Sequence, residues 1–158
     1  MLNDPDQTVR LAALDVMLKD DDIAMRELAY GICFNSADQA MRSVCLKNRF
    51  ADLKTVGFKI TEIEESSDDK QREKQRKAVE DWGGVYSFQI AEFDEKTGQF
   101  TSKGTYKQGT GQITGVTVVL SQAYCKGTLT LVDGGVLEGK LGCTASWKGT
   151  YHGHINLL

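Results

Sequence analysis

Cys125 and Cys143 are the residues of this chain whose types and spacing define a specific chemistry, the formation of a disulfide between opposed strands. Asp133-Gly134-Gly135 reads as a three-residue hairpin loop, with Gly135 supplying the positive φ such a loop needs. Strand positions equidistant from Gly134 then face one another. This register pairs Leu131 with Leu137, Leu129 with Gly139, Gly127 with Leu141 and Cys125 with Cys143, so that one face is wholly apolar or small. The other face pairs Thr130 with Glu138 and Thr128 with Lys140, which suits water. A two-residue loop would break this sorting. Cysteines opposed in this way come within disulfide reach, so a Cys125–Cys143 bridge is expected if the chain folds in an oxidising compartment, and two reduced, buried thiols otherwise. Cys33 and Cys45 read as packed thiols on neighbouring helices, with a second bridge left open.

The remaining reactive side chains form no catalytic pattern. His152 and His154 are the two histidines. Their i, i+2 spacing puts both on the polar face of the last strand. An H-x-H pair is part of a metal site, but no third ligand and no spaced Cys/His framework accompanies it, so the two read as exposed strand histidines. Gly109-Thr110-Gly111 leads into a strand and lacks the helix N-terminus that would hold a pyrophosphate; a turn is the expected outcome. Nucleophile-elbow, phosphate-loop and zinc-protease motifs do not occur. No catalytic, cofactor-binding or metal-binding residue is assigned.

The elements that must position these groups begin with a repeat of sixteen residues. Asp6, Val9, Arg10, Ala13, Leu14 and Leu18 recur as Asp22, Met25, Arg26, Ala29, Tyr30 and Phe34, then as Asp38, Met41, Arg42, Cys45, Leu46 and Phe50. Apolar residues at helical spacing with a fixed period mark stacked helices that cannot bury their faces alone. Three short helices are predicted, near 5–18, 21–34 and 37–49. The Asp in each first turn suits the helix N-terminus, and the Arg four positions later could pair with it on the same face. Arg10, Arg26 and Arg42 thus form either a structural charge ladder between helices, the reading adopted, or a carboxylate-binding strip.

Asp6-Gln7-Thr8-Val9-Arg10-Leu11-Ala12-Ala13-Leu14 and the corresponding runs Asp22–Tyr30 and Asp38–Leu46 resemble HEAT-like helical repeats. The resemblance covers residues 3–50 and departs from the usual two-helix unit of about forty residues. It implies a protein-interaction surface.

Glycine marks the other part of the chain, since only Gly31 and Gly57 precede residue 83 and the other fourteen glycines lie from residue 83 on. Val56, Phe58 and Ile60 alternate as a half-buried strand, and so do Tyr86, Phe88 and Ile90. Between them, residues 68–81 read as a charged helix anchored by Val79 and Trp82, with Ser66 and Asp69 resembling a capping box. Further strands are expected over Gln99–Lys107, Gln112–Ser121 and Ser146–Leu157. The expected fold is α+β: helical repeats in 1–53, then in 54–158 an antiparallel β-meander, as a sandwich or partly open barrel, with one inserted helix.

Composition narrows the function. The formal net charge is −3, and neither part carries the basic face that phosphate binding requires, so nucleic acid is not an expected partner. No apolar run reaches the ~18 residues of a bilayer-spanning helix, and the chain reads as soluble. Met1 leads straight into the first repeat without a signal-peptide pattern, which is compatible with a leader already removed. The expectation is a non-enzymatic interaction or structural module whose partner is another protein, periplasmic or secreted, the alternative being cytoplasmic. A competing expectation is a carrier of small apolar ligands, with a pocket lined by Phe88, Ile90, Trp147 and Tyr151.

Overall fold

A computed structural model describes residues 1–103 and 108–158. Three helices, α1 (Gln7–Leu18), α2 (Ile23–Phe34) and α3 (Gln39–Asp52), each start immediately after an aspartate of the repeat. Asp6, Asp22 and Asp38 are the N-caps: their carboxylates accept from the backbone N–H of Thr8, Ala24 and Ala40, groups that a helix otherwise leaves unsatisfied. The expected pairing of Asp and Arg within each helix does not form. Arg10 instead reaches Asp38 of α3 at 2.8 Å, Arg26 donates to the Asp20 carbonyl, and Arg42 donates to the Leu131 carbonyl in the following β-structure.

Ala29, Tyr30, Cys33 and Phe34 of α2 and Met41, Cys45, Leu46 and Phe50 of α3 are buried. Cys33 and Cys45 face each other across the α2–α3 contact, with Cα atoms 6.4 Å apart, and form a disulfide. The expectation of two packed thiols is therefore corrected: the repeat brings the two positions together at the crossing of their helices. Arg49 lies 4.7 Å above the Tyr30 ring, and the Tyr30 hydroxyl donates to Asp52 at 2.6 Å. Burial, reinforced by the Asp52 carboxylate, pushes the Tyr30 phenol far up from its usual range.

Eight antiparallel strands follow: β1 (Thr55–Glu64), β2 (Val85–Phe93), β3 (Gln99–Lys103), β4 (Gly109–Thr114), β5 (Thr117–Gln122), β6 (Cys125–Val132), β7 (Val136–Cys143) and β8 (Gly149–Asn156). Each pairs with the next, and β8 pairs back with β1, so the sheet is a closed barrel rather than a sandwich or an open sheet. Closure gives every described strand a neighbour on both sides. At the closing β1–β8 pair the strands approach at inward-facing Gly153, where a Cβ would lie 1.9 Å from the Lys59 carbonyl oxygen; within β6–β7, one on inward-facing Gly139 would lie 2.0 Å from that of Thr128.

The β6–β7 hairpin has the register derived above, with Leu131 opposite Leu137 and Cys125 opposite Cys143. Two other expectations are corrected. The run Gln112–Ser121 is two strands, β4 and β5, because Gly115 adopts φ 59° and turns the chain. Gly109-Thr110-Gly111 lies within β4 instead of forming a turn, and Gly111 makes room for the Phe100 ring inside the barrel. The expected return strand is described over Gln99–Lys103, and its last part, 104–107, lies outside the described residues.

Helices pack near both barrel ends. At one end α3 packs against β2 and β4, with the Phe50 and Phe100 rings 5.5 Å apart, while Arg49 donates to the Leu157 carbonyl. A single hydrophobic core runs from Leu14 in α1 to Leu157 beyond β8. Toward the other end lies α4 (Asp69–Asp81), between β1 and β2 in sequence. Its N-cap is Asp68, which accepts from Gln71 N–H, rather than the Ser66/Asp69 box expected from the sequence. Gln75, buried in α4, donates to the Lys148 carbonyl and accepts from Ser66 N–H, and Trp82 at its C-terminus meets Trp147 and Tyr151 edge-on.

Candidate interaction surface

An isolated amphipathic helix has one apolar face, but α2 has two. At 100° per residue, the buried residues Ala29, Tyr30, Cys33 and Phe34 occupy one side of the helix. Ala24, Met25, Leu28, Gly31 and Ile32 fall together on the other side, and no charged residue interrupts them. Met25 is 36%, Leu28 56% and Ile32 42% exposed. A helix with two apolar sides is normally covered on both. Here one side is open.

The sixteen-residue period extends this face onto α1. Val9, Ala12 and Val16 occupy the phases of Met25, Leu28 and Ile32, and Val9 and Val16 are 39% and 70% exposed. In α3 the same phases carry Met41, which is buried, Val44, which packs partly buried against the core, and the polar, half-buried Asn48. Thus the third repeat covers this face within the fold, whereas the first two present it to solvent. Fully burying one such side chain is worth roughly 1.5–3 kcal/mol, so a partner covering Val16, Leu28 and Ile32 would have a substantial driving force.

The surroundings are acidic. Residues 1–35 contain seven Asp and Glu against three Lys and Arg. Asp15 and Glu27 are paired with Lys19 and Arg49, while Asp6, Asp20, Asp21 and Asp22 have no cationic side chain within ion-pair distance among the described residues. Gly31 sits in the open face, where a Cβ would find no atom within 4 Å.

The residues singled out from sequence lie elsewhere. Cys125 and Cys143 are bonded, with Cα atoms 4.1 Å apart, at the open end of the β6–β7 hairpin. His152 Nε2 lies 2.7 Å from Glu64 on the outer face of the barrel. His154 shares with it a groove of about 520 Å³ that also contains Glu138, Lys140 and Thr128. No cluster of three His, Cys, Asp or Glu side chains arranged to hold a metal occurs among the described residues. Arg10, Arg26 and Arg42 do not converge on a common strip, since each is engaged separately as given above.

Phe88 and Tyr151 are fully buried, and Ile90 and Trp147 pack partly buried against the same core. Three grooves along the barrel are lined by other residues, one of about 760 Å³ by Phe93, Phe100, Thr101, Gln112 and Val119 among others. Sequence reasoning missed Leu28 and Ile32. The available signal was their recurrence at i and i+4, with Met25 at i−3, on the arc opposite Ala29 and Cys33. Among the described residues no helix is long and apolar enough to cross a membrane. Comparison with protein-family profiles, with curated proteins and with solved structures finds no match to this chain.

Proposed function

We propose that this protein is a non-enzymatic interaction or structural module, exported or periplasmic, that docks another protein on the outer face of α1 and α2. The observation that carries the reading is the uncharged second face of α2, with Met25, Leu28 and Ile32 exposed over two turns. In this reading α1–α3 are HEAT-like repeat units, and the filled barrel is the scaffold on which they are held. Two disulfides in one chain support folding outside a reducing cytoplasm.

The test replaces Leu28 and Ile32 together by Glu and compares partner recovery from the native source with that of the parent and of Val119→Glu, an exposed apolar site on the barrel. Loss of the same partner only in the α2 variant supports the reading. Equal recovery by all three contradicts it.

A carrier of small apolar ligands is the alternative. Its support is the groove lined by Phe93 and Phe100, whose rings stack 6.1 Å apart. Saturable binding of an apolar dye, lost on Phe93→Ser, would favour the carrier.

A further inference from the structure

We propose that the partner element received by α1 and α2 is an amphipathic helix whose apolar stripe is flanked by lysine or arginine; this rests on the docking reading above and adds the chemistry of what docks. Three observations carry it.

The first is shape. α1 and α2 pack against each other, and each offers apolar side chains at i, i+3 and i+7: Val9, Ala12 and Val16, then Met25, Leu28 and Ile32. Each stripe is about 10 Å long, two helical turns, which matches the anchor spacing of a helix laid on a helical surface. An extended segment would need main-chain partners. The described helices use their own backbone groups, and the barrel is closed.

The second is the open position at Gly31. Glycine inside a helix costs about 1 kcal/mol relative to alanine. Its flank here is empty, so a helix backbone can approach α2 closely at this point.

The third is charge. Asp20, Asp21 and Asp22 form the link between the two stripes, directly after α1 and before Met25, and none has an ion-pair partner among the described residues. The nearby cations are already engaged, Lys19 with Asp15 and Arg26 with the Asp20 carbonyl. A second copy of this chain would bring the same acids against these. A basic helix complements them.

The experiment uses the full chain and two synthetic peptides of about 18 residues with one identical Leu/Ile stripe, the remaining positions Lys in one and Glu in the other. Fluorescence anisotropy is measured at low and high salt. The Lys peptide is expected to bind at least roughly tenfold more tightly than the Glu peptide, with the ratio shrinking as salt rises. Gly31→Leu, which fills the open flank without touching the core, should weaken binding by a similar factor while the thermal melt is retained. Asp21→Lys should narrow the preference. Equal or tighter binding of the Glu peptide, or binding of neither, overturns the basic-helix proposal and leaves the docking reading standing. Lys-peptide binding that survives both Gly31→Leu and the Leu28/Ile32→Glu pair overturns the two together. Self-association in sedimentation that is abolished by the Leu28/Ile32→Glu pair would make a second copy the occupant, which also overturns it.

Discussion

Replacing Cys125 and Cys143 together by alanine should destabilise the barrel by about 3 kcal/mol, because the bridge acts mainly on the unfolded chain. The two cysteines are separated by 18 residues, and closing a loop of that length removes roughly 11 cal/mol/K of unfolded-state entropy. At this chain length about 3 kcal/mol corresponds to a fall in melting temperature of about 6–12 °C. Both sulfurs are buried, so truncation to alanine adds a void to the entropy loss. The native register should persist, since seven further residue pairs between Cys125 and the loop hold β6 to β7, from Lys126–Gly142 to Val132–Val136. Guanidinium denaturation gives the assay, with the slope m expected to rise as the uncrosslinked chain expands. A loss below about 1 kcal/mol with an unchanged slope would refute the loop-entropy reasoning.

Alkylation of the denatured protein, purified without reductant, should label none of the four cysteines, as read by mass; four labelled thiols would remove the support for export. Gly153→Ala should cost more than the ~1–3 kcal/mol of ordinary overpacking, because its Cβ would meet the Lys59 backbone rather than a movable side chain, and a melt within 2 °C of the parent's, against the ~2–4 °C per kcal/mol expected at this length, would contradict the close approach. The Asp38 carboxyl is held below its usual range, chiefly by its hydrogen bond with Arg10. A depressed folded-state pKa stabilises the fold fully above the ordinary carboxylate range of about 4 and ceases to do so as pH falls through the depressed value. Asp38→Asn should therefore lower stability at neutral pH and flatten its fall in acid, as followed by denaturation midpoints across pH. Leu28→Glu with Ile32→Glu should leave stability within about 0.5 kcal/mol, since both side chains are largely outside the core.

What could be read in the sequence followed from local periodicity. The β6–β7 register was legible because period-2 alternation sorts Leu131, Leu129 and Gly127 from Thr130 and Thr128, and only one loop length preserves the sorting. The repeating aspartates marked helix starts because capping is a local interaction. Barrel closure was not legible, as it depends on β1 meeting β8 across the whole β-region and on the tight approach at Gly153. The β4–β5 turn was hidden inside a continuous Val/Thr-rich run, where Gly115 alone marks the break. Arg10 found Asp38 instead of Asp6 because helix orientation, absent from any single-helix pattern, decides which carboxylate is near; Asp38 caps α3 with Oδ1 and accepts from Arg10 with Oδ2. The open face of α2 was masked for a related reason: apolar residues on two sides of a helix blur the periodicity, and only the packing of Tyr30 and Phe34 inward shows that Leu28 and Ile32 point out.

The most direct test of the docking account is site-specific photo-crosslinking in the native source, with a photoreactive side chain in place of Leu28 and, separately, in place of Val119. The account predicts one discrete adduct from position 28, abolished when Ile32 is also changed to Glu, and no such adduct from position 119. The same adduct from position 119, or one from 28 indifferent to Ile32→Glu, would contradict it.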